Sequence, residues 1–357
     1  MSVRDILSAE NELTNMLGAQ QAVVLSTRVR LARNLAGLPF PGWAKPAQRE
    51  EVADRCLKAL EALPRFRRGH VLRMSGLSDL DRAVLVERHL VSKELANGKS
   101  GAAVISRDQT CSVMVNEEDH LRIQVVKAGW HLRSAWHLAE QLDDALAPRL
   151  GFAFSERLGY LTACPTNVGT GLRASAMLHL PALCLSGHMD KVTRGLGQDG
   201  LAVRGWLGEG TEAAGNVFQI SNQQTLGRSE EEIMKHLSGW IKTVVEQERN
   251  ARRRLAAEEG EKFTDRAARA LGVLRHARLL SSAESMNMLS HLRLACDMGC
   301  LPEERRSAVD RLMIEGQPAH IQALTGAELD SDARDVRRAA AIREALKDFP
   351  EVGPPSA

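Results

Sequence analysis

The sequence predicts an α+β fold, an antiparallel sheet flanked by helices, followed by a helical C-terminal domain. Three observations predict it. Short apolar or β-branched runs bounded by turn residues recur at 23–31, 102–106, 111–116 and 120–127, the pattern of strands. Helix-period segments fall between these runs irregularly, without the strict alternation of a doubly wound parallel sheet. From residue 258 onward Leu, Ala, Arg and Glu recur at helical spacing and strand-like runs cease.

Residues 1–22 read as a short helical lead-in. In the first strand Val23, Leu25, Thr27, Val29 and Leu31 alternate against Ser26, Arg28 and Arg30. Alternation puts Arg28 and Arg30 on one face. Residues 47–63 form an amphipathic helix stopped by Pro64, and 79–97 another, closed by Asn97-Gly98. Residues 131–147 are helical in period. Residues 160–215 are rich in glycine and turns, and 215–222 read as a strand returning to the sheet. Residues 230–257 form a helix with Ser229 and Glu232 as a capping box at its start. Ile233, Leu237, Trp240, Ile241, Val244 and Val245 supply its apolar stripe. Arg249, Arg252, Arg253 and Arg254 close it near the favourable C-terminal pole. The expected division is a lead-in at 1–22, a mixed domain at 23–257 and a helical domain at 258–357. A disordered tail with Pro354 and Pro355 ends the chain.

Composition narrows the function. The 357 residues are 44% hydrophobic and carry a net charge of +2, so nothing in the balance demands nucleic acid or a membrane. Aromatics are 4%, with Tyr160 the single tyrosine, which argues against base-stacking platforms. Cys56, Cys111, Cys164, Cys184, Cys296 and Cys300 form no CxxC pair, so zinc-ribbon and disulfide frameworks fit poorly. A reducing, cytoplasmic setting fits best. The N-terminal MSVRDILSAENEL has no apolar h-region, and no stretch is long and apolar enough to span a bilayer.

Four motifs carry chemistry. In Ser26-Thr27-Arg28-Val29-Arg30 two permanent cations on one face repel unless an anion sits between them. Guanidinium forks match phosphate oxygens, so a polyphosphate is the natural guest, with a solvated strand face as the plain alternative. Asn116-Glu117-Glu118-Asp119-His120-Leu121-Arg122 is either an acidic hairpin turn or part of a cleft. In the second reading Glu118, His120 and Arg122 share parity, offering a carboxylate to a cationic acceptor and an arginine to a phosphate. Cys164-Pro165-Thr166-Asn167-Val168-Gly169-Thr170-Gly171-Leu172-Arg173-Ala174-Ser175 lacks the Lys-Ser/Thr of a Walker A loop. Its glycines still permit close backbone approach to a ligand, and Arg173 adds a fork. Cys164 by itself is more commonly a buried structural thiol. Arg204-Gly205-Trp206-Leu207-Gly208-Glu209-Gly210 reads either as a mobile loop that carries Glu209 into a site or as a hairpin tip.

In this order STRVRLARN, NEEDHLR, CPTNVGTGLRAS, RGWLGE and ISN…LG resemble the phosphagen (guanidino) kinase family over roughly residues 23–253. The resemblance implies transfer of the γ-phosphoryl of ATP to a guanidinium. Ser26, Thr27, Arg28, Val29, Arg30, His89, Arg122, Arg173, Ala174, Ser175, Ala176, Met177, Arg204, Gly205, Trp206, Leu207, Gly208 and Glu209 are then expected to bind ATP. The five arginines would hold its phosphates, and His89, in Glu87-Arg88-His89-Leu90, would lie near its base. Glu118 and Glu209 match the carboxylates that hold the acceptor, and Cys164 the reactive cysteine beside it. Mg²⁺ would be held by ATP oxygens and water, with no metal-ligand set on the protein.

Family members acting on free guanidino compounds carry a helical domain ahead of the STRVR segment. Here that segment starts at residue 26 and the chain extends at its C-terminal side. Both features resemble the branch that phosphorylates arginine in proteins. That implies protein substrates with exposed arginine, a zinc-binding activator and a Clp ATPase as partners, and a homodimer. Arg334-Asp335-Val336-Arg337-Arg338-Ala339 fits the RDxxRA pattern of that branch's allosteric phosphoarginine pocket, formed by Arg334, Asp335 and Arg338; a charged helix face is the plain alternative. Trp206-Leu207 departs from the family pattern and bears on acceptor preference. A small-molecule guanidino kinase and a catalytically inactive phosphoarginine-binding regulator are the alternatives. The intact set of Glu118, Cys164, Glu209 and arginines speaks against the regulator.

Overall fold

The computed structural model describes residues 3–8, 22–98, 100–205 and 214–355. In chain order the elements are α1 (Val3–Ser8), β1 (Val24–Arg33), α2 (Pro46–Glu61), β2 (His70–Arg73), α3 (Asp79–Glu87), α4 (Lys93–Asn97), β3 (Ala102–Ile105), β4 (Cys111–Val115) and β5 (Leu121–Ala128). Then follow α5 (Leu132–Leu150), the hairpin β6 (Phe154–Ser155) and β7 (Gly159–Tyr160), β8 (Leu172–His179), α6 (Pro181–Leu185), α7 (Met189–Gln198), β9 (Leu201–Gly205) and β10 (Val217–Asn222). The helices α8 (Glu230–His276), α9 (Ser282–Asp297), α10 (Arg306–Glu315), α11 (Pro318–Thr325) and α12 (Ser331–Leu346) complete the chain.

Eight strands pair in the order β2-β3-β4-β5-β1-β8-β10-β9, each neighbouring pair antiparallel. This is the antiparallel sheet flanked by helices that the irregular strand and helix order predicted. Alternation divides its faces. Val29 and Leu31 of β1, Ile123 and Val125 of β5, Ala174 and Ala176 of β8 and Ile220 of β10 pack with α2, α5 and the first half of α8. The opposite face is polar at its centre. At one end Leu25, Val126 and Met177 meet the second half of α8 with α9, α10 and α12. Over the β2–β4 half, α1, α3 and α4 cover the sheet, and Ala319 of α11 joins them.

Several local expectations differ from the structure. The helical spacing over 79–97 is two helices, because His89 takes a left-handed φ of 56° between them. The glycine-rich stretch 160–215 contains β8, α6, α7 and β9. The helix from Ser229 has the expected capping box but runs to His276, with a non-helical Glu259 inside it. Arg252 therefore does not sit at a helix end. It is buried and donates to Glu248, Asp297 and the carbonyls of Ala22 and His179. Near the C-terminus Val352 packs on the helical core and the Gly353 amide donates to the Cys300 carbonyl, so the chain is docked up to the residues just before the expected tail. Residues 9–21 of the expected lead-in lie outside the described residues.

A buried charge cluster joins the two halves. Asp297 accepts from Arg252, Arg293 and Arg306 at 2.9, 3.2 and 2.9 Å. Arg293 also donates to Asp310 at 2.7 Å and to the Ala22 carbonyl at 2.9 Å. Glu248 accepts the Ala182 and Leu183 amides at the start of α6. Burial and the charges of Arg293 and Arg252 push the His179 imidazole well below its ordinary range.

Candidate active site

Strand register assembles the site. Arg30 lies directly opposite Arg173, and Ala32 opposite Arg122. Arg28 faces Ser175, Ser175 faces Ser221, and Gln219 pairs Arg204. Cross-strand partners share a face, so Arg28, Arg30, Arg122, Arg173 and Arg204 all project from the polar side. Like charges directly opposed are unfavourable in a sheet, and Arg28, Arg30 and Arg173 are each held down by burial and by their neighbours. Burial, then Arg122 and Arg173, lower the Arg28 guanidinium to about 10. Burial, with Arg28, Arg122 and Arg173, pushes Arg30 down well below its usual value. Burial, with Arg204 and Arg122, lowers Arg173. The row is a cationic cradle with few carboxylates to balance it.

One side of the cradle ends in acids. Arg122 bonds Glu117, whose side chain is 0% exposed, at 2.5 Å and meets Glu118 at 3.5 Å. Burial, then the Asp119 charge, raises the Glu118 carboxyl above the ordinary carboxylate range, against the opposing pull of Arg122. Cys164 lies close enough to Glu118 to draw its carboxyl slightly back down, and the Cys164 sulfur is 3.0 Å from the Thr166 hydroxyl. Asp119 fixes this pairing from below. It accepts the Ala163 amide at 2.7 Å and the Asn34 side-chain amide at 2.6 Å. The 164–171 loop is tied again at its far end, where Thr225 donates to the carbonyls of Thr166 and Val168. Gly169 sits at φ 110°, and a Cβ there would lie 2.2 Å from the Thr225 carbonyl oxygen.

At the other side His89 meets Arg28. A small cavity there is lined by Ser26, Arg28, His89, Val126, Ser175, Met177 and Gln219. Gln219 accepts from Arg28, and Gln124 donates to the His89 carbonyl at 2.8 Å. Burial and the Arg28 charge hold His89 down at about 3, so its ring is neutral at physiological pH.

Residues 51–251, more than half of the chain, match the family described as ATP:guanido phosphotransferase, C-terminal catalytic domain. The chain belongs to that family. Residues 260–355 of this guanido phosphotransferase match the family described as protein-arginine kinase McsB C-terminal domain. Its relatives include a protein named protein-arginine kinase from Symbiobacterium thermophilum, 48% identical over 95% of this chain and 97% of the relative. Another of that name, from Halothermothrix orenii, is 44% identical over 97% of this chain and 99% of the relative. Among solved structures, lombricine kinase is 27% identical with a TM-score of 0.58, covering 68% of this chain and 71% of that one. A substrate-free duplicated taurocyamine kinase from Schistosoma mansoni, 22% identical with a TM-score of 0.57, covers 81% of this chain and 48% of that one and shares the fold.

Not every residue expected at the phosphotransferase site faces it. Val29, Ala174 and Ala176 lie in the core beneath the sheet. Thr27 also points there, donating to the Gly129 carbonyl and accepting from the His131 amide. Met177 closes the His89 cavity while packing into the helical core. Gly205 ends β9 opposite Phe218. Trp206, Leu207, Gly208 and Glu209 lie outside the described residues. His120 does not share the cleft with Glu118 and Arg122. The strand begins only at Leu121, and the ring turns inward, accepting from the Leu35 amide and meeting the Pro39 carbonyl.

The RDxxRA segment lies in α12. Arg338 is 1% exposed and donates to the carbonyls of Gly316 and Leu280 and to Asp335. Arg334, partly exposed, donates to the Leu329 carbonyl. Asp335 and Arg338 are thus paired with one another rather than presented as a solvated charged face. Sequence reasoning missed Gln219 and the distinct role of Glu117. Glu117 stood in the acidic motif, but only the fold shows which acid is buried. Gln219 shares parity with Ser221 on β10, a signal that acquires meaning only once β10 is known to lie beside β8.

Proposed function

We propose that this chain transfers the γ-phosphoryl group of ATP to the guanidinium of arginine side chains in proteins. The observation that carries the reading is the row of five arginines on one sheet face, ending beside the Glu118–Cys164 pair. A polyphosphate along the row replaces cation–cation repulsion by charge-assisted hydrogen bonds. Its terminal phosphoryl then reaches Arg122 and Glu118, while the base lies toward His89, Ser26 and Ser175.

A guanidinium is protonated up to about pH 12 and offers almost no free lone pair. Glu118 therefore has to orient it and accept its proton as the N–P bond forms. The bond from the γ-phosphorus to its bridging oxygen breaks, and ADP leaves with that electron pair. The raised carboxyl of Glu118 suits a base better than an ordinary surface glutamate. Cys164 borders the same acceptor, and Glu209 is its second carboxylate by family resemblance. Fixed arginines stabilise the loose anionic transition state without reorganising. Among the described residues no group of three or more His, Cys, Asp or Glu could hold a metal ion. A cationic face of this kind fits Mg²⁺ carried by ATP oxygens, where the ion would offset charge on the β- and γ-phosphates.

Support for a protein acceptor comes from the two relatives named protein-arginine kinase and from the C-terminal match. On the same resemblance we infer a cytoplasmic homodimer whose products are marked for Clp-type proteolysis in protein quality control. A zinc-binding activator and a Clp ATPase are its partners, with Arg334, Asp335 and Arg338 as an allosteric phosphoarginine pocket. No described helix is long and apolar enough to cross a membrane.

Incubation with Mg-ATP, a casein-like protein and free arginine tests the reading by intact mass and phosphopeptide mapping. Acid-labile phosphate on protein arginines, with free arginine untouched, is expected. Phosphorylation of free arginine alone would move the chain to the small-molecule reading. Transfer to neither, with phosphoarginine still bound, would leave a regulator.

A further inference from the structure

Three consecutive residues link the nucleotide side of the sheet to a helix far away in sequence. Glu87 ends α3. One of its carboxylate oxygens accepts the Ala319 amide at 2.8 Å. The other accepts the His320 amide at 3.0 Å and meets His320 Nδ1 at 2.7 Å. The carboxylate thus sits at the positive end of α11, where a helix leaves its first amides unsatisfied. Arg88 comes next and is buried. It donates to the carbonyls of Ile6 and Leu7, which close α1, and to Gln109. Its Nε lies 3.3 Å from His320 Nε2. These partners assign the ring proton of His320 to Nδ1 and leave Nε2 as acceptor. The imidazole, 1% exposed, bridges Glu87 and Arg88.

His89 follows in the left-handed region at φ 56°. Non-glycine residues are uncommon in that region, although histidine enters it more readily than most. Its amide donates to the Val86 carbonyl, and the Leu90 amide donates to the Leu85 carbonyl. The loop thus folds back onto the last turn of α3, and the side chains of Glu87 and Arg88 tie that turn to α11 and α1. A helix N-terminus can be capped by a local residue at little cost. Here the cap comes from a residue 232 positions away, at the base of the loop that carries His89.

We propose that Glu87 and His320 are positioning residues for nucleotide recognition, with α11 clamping the loop that aims His89 at the base of ATP. The clamp touches neither phosphates nor acceptor. It acts through two residues of backbone. This inference rests on the reading that His89 borders the nucleotide base.

The test compares ATP with inorganic tripolyphosphate, which keeps the phosphates and lacks the base. Binding of each is measured by calorimetry on the full chain, with steady-state kinetics and thermal unfolding alongside. The variants are Glu87→Gln, His320→Phe, His320→Asn and His89→Ala. Glu87→Gln, His320→Phe and His89→Ala are expected to weaken ATP and raise its KM by about ten-fold. Tripolyphosphate binding and acceptor KM should stay within about two-fold in the same variants. His320→Asn keeps a donor near the Nδ1 position and should recover most of the loss. Equal weakening of ATP and tripolyphosphate would reduce the clamp to a structural contact. A loss in His89→Ala alone, with Glu87→Gln and His320→Phe unaffected, would overturn the clamp and keep the base reading. An unchanged ratio of ATP to tripolyphosphate affinity in His89→Ala would overturn the base reading, and the clamp with it.

Discussion

Glu118 meets two opposing demands. Catalysis needs a carboxylate that takes a proton, and folding has placed that carboxylate beside Asp119 and partly out of water, so its ionised form is disfavoured. The sign follows from linkage. An acid whose folded value lies above its unfolded one contributes most at low pH and loses that contribution as pH rises through the folded value. Glu118→Gln removes the ionisation. At neutral pH the variant should unfold at a higher temperature than the wild type, and the gap should close below the ordinary carboxylate range. Turnover should fall by about a thousand-fold while ATP still binds. A variant that turns over normally would remove Glu118 from the base role. A variant less stable at every pH would show that its contacts with Arg122 and Cys164 outweigh the burial.

Elements supply what single residues cannot. Arg30 becomes part of a row only because β1 lies between β5 and β8, which sets Arg122 and Arg173 beside Arg30 and its own neighbour Arg28. Among the described residues its buried Nε has no hydrogen-bond partner. Arg30→Met should therefore stabilise the nucleotide-free protein by about 1–3 kcal/mol, the usual direction when a poorly compensated buried charge becomes apolar. The same variant should lose ATP binding. Urea denaturation and calorimetry on one sample check both, and a less stable variant would mean that Arg30 is already neutralised by Glu117 in the free protein. That Arg28 and Arg30 share a face was legible from alternation, whereas Arg173, Arg204, Glu118 and Cys164 were picked out by their motifs and the family resemblance. The pairing order was not, because antiparallel neighbours such as β8 and β10 are set by contacts distant in sequence. Nor was the break at His89. No glycine or proline marks it, and the apolar spacing of 79–97 continues across it. His120 misled because the parity argument assumed extended backbone, whereas residues 116–120 form a bend and the strand begins only at Leu121. The true length of α8 was hidden by Arg252, whose charge reads as a helix end and is in fact an internal ligand for Glu248 and Asp297.

At the scale of the molecule, α8 belongs to both sequence-defined regions. The match to the catalytic family ends at residue 251 and the C-terminal match begins at 260, both inside that one helix. The charge cluster around Asp297 then bolts α8 to α9 and α10. Asp297→Ala leaves Arg252, Arg293 and Arg306 facing one another, and breaking a buried ion pair from one side costs about 3–5 kcal/mol. Chemical denaturation should show that loss as a shift of one cooperative transition. Two separated transitions in the wild type would mean that the regions unfold independently and that the cluster is an interface only.

The arginine row also governs how the reaction cycle ends. Four strands contribute five arginines to one cationic face, and loss of a single phosphoryl group leaves most of that face still occupied by ADP. The spent nucleotide must escape nearly the same attraction that captured the fresh one. Mobile ions weaken such attraction over a distance of about 8 Å at physiological strength. Salt therefore slows arrival and hastens departure together, and the ionic strength of fastest turnover lies where these two opposed effects balance.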